Sequence, residues 1–133
     1  MTGPGADPKS YPWIQTRLAL ERTLLAWLRT AAALIGFGFA IFQFYEMLDK
    51  VPGVKPARYP GSSRLFGVTL VGIGTLALAL SLVQYVLMVR ALGAPPDPAL
   101  SAIPRFHPGR TVAAVLLIVG AVTFWALLTR LPL

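Results

Sequence analysis

The chain has no cysteine, a single histidine and only five acidic residues against twelve lysines and arginines in 133 positions. Without cysteine there is no disulfide framework, no thiolate metal site and no cysteine nucleophile. The one histidine, His107, stands in the Pro/Gly-rich stretch Arg105-Phe-His-Pro-Gly-Arg110 with no second ligand nearby, so no metal is expected. No carboxylate pair at useful spacing and no phosphate-binding glycine loop before a helix is present, so the chain is read as not an enzyme and as needing no cofactor. Charge of either sign is scarce too, at 13% of residues, while 56% are hydrophobic. A soluble domain of this length carries about 25% charged residues, so the composition excludes an ordinary soluble fold.

What fills the chain instead is three long apolar runs: Leu24 to Phe44, broken by Arg29 and Gln43, then Leu65 to Val89, then Thr111 to Thr129. The shortest has nineteen residues. At about 1.5 Å per residue each covers a hydrocarbon core of roughly 30 Å. None alternates as barrel strands do, and in lipid every backbone polar group must be paired within its own segment, so the runs are predicted to be helices. The expected fold is all-α: an integral membrane protein with spans at about 24–47, 65–90 and 111–130, built as a helical bundle. Residues 1–11 read as a flexible tail and 12–133 as one membrane domain. Between Pro12 and the first span, Ile14, Leu18 and Leu25 interleave with Arg17, Glu21 and Arg22, the pattern of a short amphipathic helix lying at the interface before the span. Trp13 and Trp27 suit the headgroup belt as anchors.

Lys9, Arg17, Arg22, Arg90, Arg105 and Arg110 fall on the N-terminal side, with Arg29 if it snorkels, against Lys50, Lys55, Arg58, Arg64 and Arg130 opposite. That small excess points to a cytoplasmic N-terminus and an external C-terminus in a plasma (inner) membrane. The net charge of +7 is divided between both faces with no basic cluster, which argues for anionic lipid headgroups as partner and against nucleic acid.

The first span holds the most specific pattern. Positions 22, 26, 29, 33, 36, 40 and 43 follow the four-three spacing of one helical ridge and read Arg, Ala, Arg, Ala, Gly, Ala, Gln. A ridge of small and polar residues is a poor lipid face and a good helix-packing or pore-lining one. Ala26, Ala33, Gly36 and Ala40 are the expected packing residues of this helix, and Gly67 and Gly74 belong to a second ridge, Gly67, Val71, Gly74, Leu78, Ser81 and Tyr85. A third comprises Ala113, Leu117 and Gly120. Three helices offer few surfaces on which to hide Arg22, Arg29 and Gln43, so several protomers are expected to associate with their first helices inward.

The segment Leu18-Ala-Leu-Glu-Arg-Thr-Leu-Leu-Ala-Trp-Leu-Arg-Thr30, followed by an Ala/Gly-rich apolar run, resembles the signature of the YidH-like membrane proteins, the "domain of unknown function 202" family. The family commonly has Asn before Glu-Arg-Thr and Phe after it, where this chain has Leu20 and Leu24. The resemblance implies a relationship to the membrane part of the vacuolar transporter chaperone complex, in which five three-span units ring a path for polyphosphate. By position it would place Arg22 on that path with Glu21 beside it, and Arg90 approximately. Arg17 and Arg29 join them as candidate anion-binding residues. Two functions are then expected: an oligomeric, basic-lined conduit for anions such as phosphate or polyphosphate, or a non-conducting scaffold or accessory subunit whose arginines anchor it to headgroups.

Overall fold

The computed structural model describes residues 8, 10–53, 60–96 and 108–131, and within them the three apolar runs are three helices. These are α1 (Ser10–Leu48), α2 (Pro60–Leu92) and α3 (Pro108–Leu128). Each is long and apolar enough to cross a bilayer. The positions of prolines and glycines explain the bounds. Pro60 and Pro108 open their helices, where a missing N–H is one of the orphans in any case. After α2 the chain leaves through Gly93 at φ 69°, whose N–H donates to the Arg90 carbonyl, the left-handed cap that favours glycine.

Inside the apolar helices the threonines need partners that lipid cannot supply, and they find them one turn back. Thr16, Thr23 and Thr30 of α1 donate to the carbonyls of Pro12, Ala19 and Ala26, and Thr69 and Thr75 of α2 to those of Leu65 and Val71, at 2.8 to 3.2 Å.

α1 and α2 run antiparallel and meet along a glycine seam. A Cβ at Gly38 would lie 2.7 Å from the Gly67 carbonyl oxygen, and one at Gly67 would lie 2.7 Å from that of Gly38, so the two backbones touch there. At Gly74 a Cβ would come within 2.9 Å of Leu34 Cβ. Side chains fill the space to either side. Leu24, Ala31, Leu78, Tyr85 and Ala113 form one core, and Ile35, Phe42, Val68, Val71 and Leu127 the other. α3 packs mainly on α2, with Gly120 against Thr75 and Phe124 against Gly72. The second ridge, Gly67 through Tyr85, is therefore the inner face of α2, and Ala113 and Gly120 lie on the inner face of α3.

α1 differs in one respect from the amphipathic segment expected to turn into the span. No turn separates the two, because nothing between Tyr11 and Leu24 breaks a helix once Pro12 is accommodated in the first turn. α1 runs on for 39 residues, about 58 Å, against about 32 Å for the 21 residues of α3. Glu21 lies beside Gly109, and Gly120 is against Ile35, so α1 and α3 run parallel. The first turns of α1 extend past the start of α3 on the N-terminal side.

Candidate functional site

Apart from Arg29, the charged residues among the described ones gather toward the two ends of the bundle. At the end far from the N-terminus, the last turn of α1 carries Glu46, followed by Asp49. Glu46 pairs with Lys50 at 3.4 Å and with Arg130, just past α3, at 3.7 Å, while Asp49 accepts a hydrogen bond from Arg64 near the start of α2. One helix end thus supplies the carboxylates and the other two helices supply arginines, which ties all three together at one level.

At the N-terminal end the candidate residues divide by face. Successive residues of a helix are about 100° apart, so neighbours in sequence can point in different directions. Arg17 and Glu21 lie toward the bundle. The Arg17 guanidinium stacks over the Trp13 ring, 5.1 Å from its centroid. Glu21 reaches the first turn of α3, where a Cβ at Gly109 would lie 3.6 Å from Glu21 Oε1, a carboxylate at the positive end of the helix dipole. Tyr85 of α2 is buried within electrostatic range of Glu21, Arg17 and Arg110.

Arg22 and Arg29 point the other way. All seven positions of the α1 ridge, Arg22, Ala26, Arg29, Ala33, Gly36, Ala40 and Gln43, are exposed on the protomer. At Gly36 a Cβ would meet nothing within 4 Å. Within one chain the packing residues of α1 are Leu24, Ala31, Ile35, Gly38 and Phe42, on the opposite side of the helix, and the last four meet Gly67 or Gly74 of α2. Arg22 lines a shallow groove of about 470 Å³ with Thr23, Ala26, Trp27 and Thr30. Trp27 is exposed and Trp13 half-buried.

Arg90 lines a different cleft. It lies between α2 and α3, about 360 Å³ in volume, with Arg110 and Tyr85 among its walls. Arg22 and Arg90 stand at one end of the bundle and line two different clefts. Arg110 was not among the candidate site residues. Its signal was present in the charge count, which put it with Arg22 and Arg90 on one side, and only the packing of α3 on α2 makes it a neighbour of Arg90. His107, Arg105, Lys9, Lys55 and Arg58 lie outside the described residues. Among the described residues there is no group of three or more potential metal ligands.

No curated protein and no solved structure matches the chain. A family model described as "Domain of unknown function (DUF202)" matches residues 15–91, more than half of it. That stretch takes in Arg17, Glu21, Arg22 and Arg29, the whole glycine seam between α1 and α2, and Arg90, and on this match the chain is a membrane protein that belongs to the DUF202 family.

Proposed function

We propose that this membrane protein assembles into a homo-oligomeric ring through the outward ridge of α1, and that the ringed helices line a basic path for anions such as phosphate or polyphosphate without catalysing a reaction. The observation that carries the reading is the exposure of the whole ridge on the single chain, from Arg22 to Gln43. Lipid is a poor neighbour for it. Arg22 stands level with Arg110, and Arg29 lies seven residues further along α1, about 10 Å deeper. An arginine at the bilayer centre costs roughly 2.5–3.5 kcal/mol on insertion scales. Snorkelling toward the near headgroups lowers that figure, and a water-filled path lowers it further. Ala26, Ala33, Gly36 and Ala40 have no bulk to fill a lipid-facing surface but let helices approach closely. Rings of arginine are what an anion path is built from.

The family resemblance suggests five copies, and the charge bias a cytoplasmic N-terminus in a plasma (inner) membrane. The position of Arg22 at the boundary, within reach of anionic headgroups, favours a second reading, a non-conducting scaffold that uses the same ridge to hold a complex together.

The test has two stages. The mass of the full-length protein in mild detergent, corrected for bound detergent, is expected to be a multiple of the 14.3 kDa chain. In proteoliposomes the double variant Arg22→Ala, Arg29→Ala should keep that mass and lose anion flux. Retained flux in the double variant excludes the conduit and leaves the scaffold, and a monomer removes both.

A further inference from the structure

The α2/α3 cleft has a composition the conduit does not use. At its outer end are two arginines from different helices, Arg90 in the last turn of α2 and Arg110 in the first turn of α3. Neither forms an ion pair with another described residue. Behind them the walls turn apolar, with Leu82 and Val86 of α2 and Ala114 of α3, and Tyr85 brings a phenol to the junction. Ala114 is one turn further into the bundle than Arg110, and Val86 one turn further than Arg90, so the cleft runs from the end of the bundle toward its middle, which in a bilayer would be from headgroup level into the hydrocarbon. Its volume of about 360 Å³ falls in the range of about 300–1,000 Å³ for small-molecule clefts. The Glu21 carboxylate, which would repel an anion, is not among its walls and sits against Gly109 on the α1 side.

We infer that this cleft is a binding site for one anionic phospholipid, with the phosphate held between Arg90 and Arg110 and the upper acyl chain lying along Leu82, Val86 and Ala114. Charge complementarity selects the occupant: two guanidiniums present fork-shaped donors to phosphate oxygens, and the apolar walls need a chain that a free oxyanion lacks. The site is formed within one chain and is independent of assembly through α1.

The full-length protein, carried through nanodiscs of phosphatidylglycerol mixed with phosphatidylcholine, is expected to retain phosphatidylglycerol selectively when lipids bound to the released protein are counted by native mass spectrometry. Arg90→Gln and Arg110→Gln should each weaken retention about fivefold, while Arg130→Gln, at the opposite end of the bundle, should not. Ala114→Trp fills the cleft with both charges intact and should abolish retention, which general attraction to a basic surface would survive. Should Ala114→Trp fail to fold, the two arginine variants against Arg130→Gln still decide. Equal retention in all arginine variants overturns the proposal. Displacement of the lipid by millimolar inorganic phosphate overturns it as well, since the cleft would then be a site for a free oxyanion.

Discussion

Substituting Gly38 by alanine should destabilise the bundle, and the structure fixes both the size and the control. The added Cβ would lie 2.7 Å from the Gly67 carbonyl oxygen and 2.9 Å from Leu70 Cβ and Val71 Cγ2. Ordinary contact begins near 3.4 Å, so α1 and α2 must part by several tenths of an ångström. Two of the three atoms met are backbone or Cβ, which no rotamer change moves. Inserting bulk into a packed seam costs about 1–3 kcal/mol, and in a membrane that loss matters because van der Waals packing, not the hydrophobic effect, holds helices together. Gly67→Ala should cost a similar amount. The double variant should cost less than the sum, because the first substitution has already opened the crossing that the second would strain. Gly36→Ala is the control. It lies two residues away on the same helix, and its Cβ would meet nothing within 4 Å, so the chain itself should be as stable as before. Unfolding with increasing dodecyl sulfate in mixed micelles, followed by tryptophan fluorescence or circular dichroism, measures all four. If Gly38→Ala unfolds at the same denaturant fraction as the parent, the backbone contact at Gly67 does not hold the helices together and the seam is misplaced.

Three further outcomes follow from the ends of the bundle. Glu46→Gln should cost less than about 1 kcal/mol in the same titration, because both its partners are well exposed, with Lys50 74% and Arg130 62% accessible. Asp49→Asn should cost more, about 1–3 kcal/mol, because it leaves Arg64, whose side chain is only 19% accessible, without its carboxylate; equal losses at the two positions would contradict that ranking. Glu21→Gln should lower stability by about 0.3–1 kcal/mol through the lost charge at the start of α3, and its effect should shrink at high ionic strength, whereas a loss that salt leaves unchanged would assign Glu21 to packing alone.

The architecture was legible because the membrane imposes it: an apolar stretch of nineteen residues or more has few structures open to it, and the three runs, two of them uncharged and the first carrying only Arg29, became three helices. The inner face of α2 was legible for a related reason. Its small residues recur at Gly67, Gly74 and Ser81, seven residues apart on one ridge. α1 was harder to read because it carries two small-residue ridges at the same four-three spacing, one through Ala33 and Gly36 and one through Ala31 and Gly38. In water hydrophobicity would distinguish the inner from the outer ridge. In lipid both surroundings are apolar, and the pattern alone does not say which ridge the chain uses for itself. The junctions at the helix ends depended on register between helices. Glu46 with Arg130 and Arg90 with Arg110 are far apart in sequence, and only the packed bundle brings them to one level.

The two ridges also explain how adjacent charges in the signature segment can serve different ends. Arg17 and Glu21 are on the side of α1 that faces the other helices, where one stacks on Trp13 and the other meets the start of α3. Arg22 follows Glu21 directly, yet a rotation of about 100° carries it to the open face with Arg29. Glu21 and Arg22 therefore do not neutralise one another as an isolated pair of neighbours. The acid is occupied by the fold, and the base is left to whatever meets the outer ridge. A segment that merely anchored a helix to headgroups would need its basic residues at the boundary alone, as Arg22 is. Arg29 lies two turns deeper on the same open ridge, among residues too small to shield it, and under the proposed assembly a second copy would give it the polar neighbour that lipid does not.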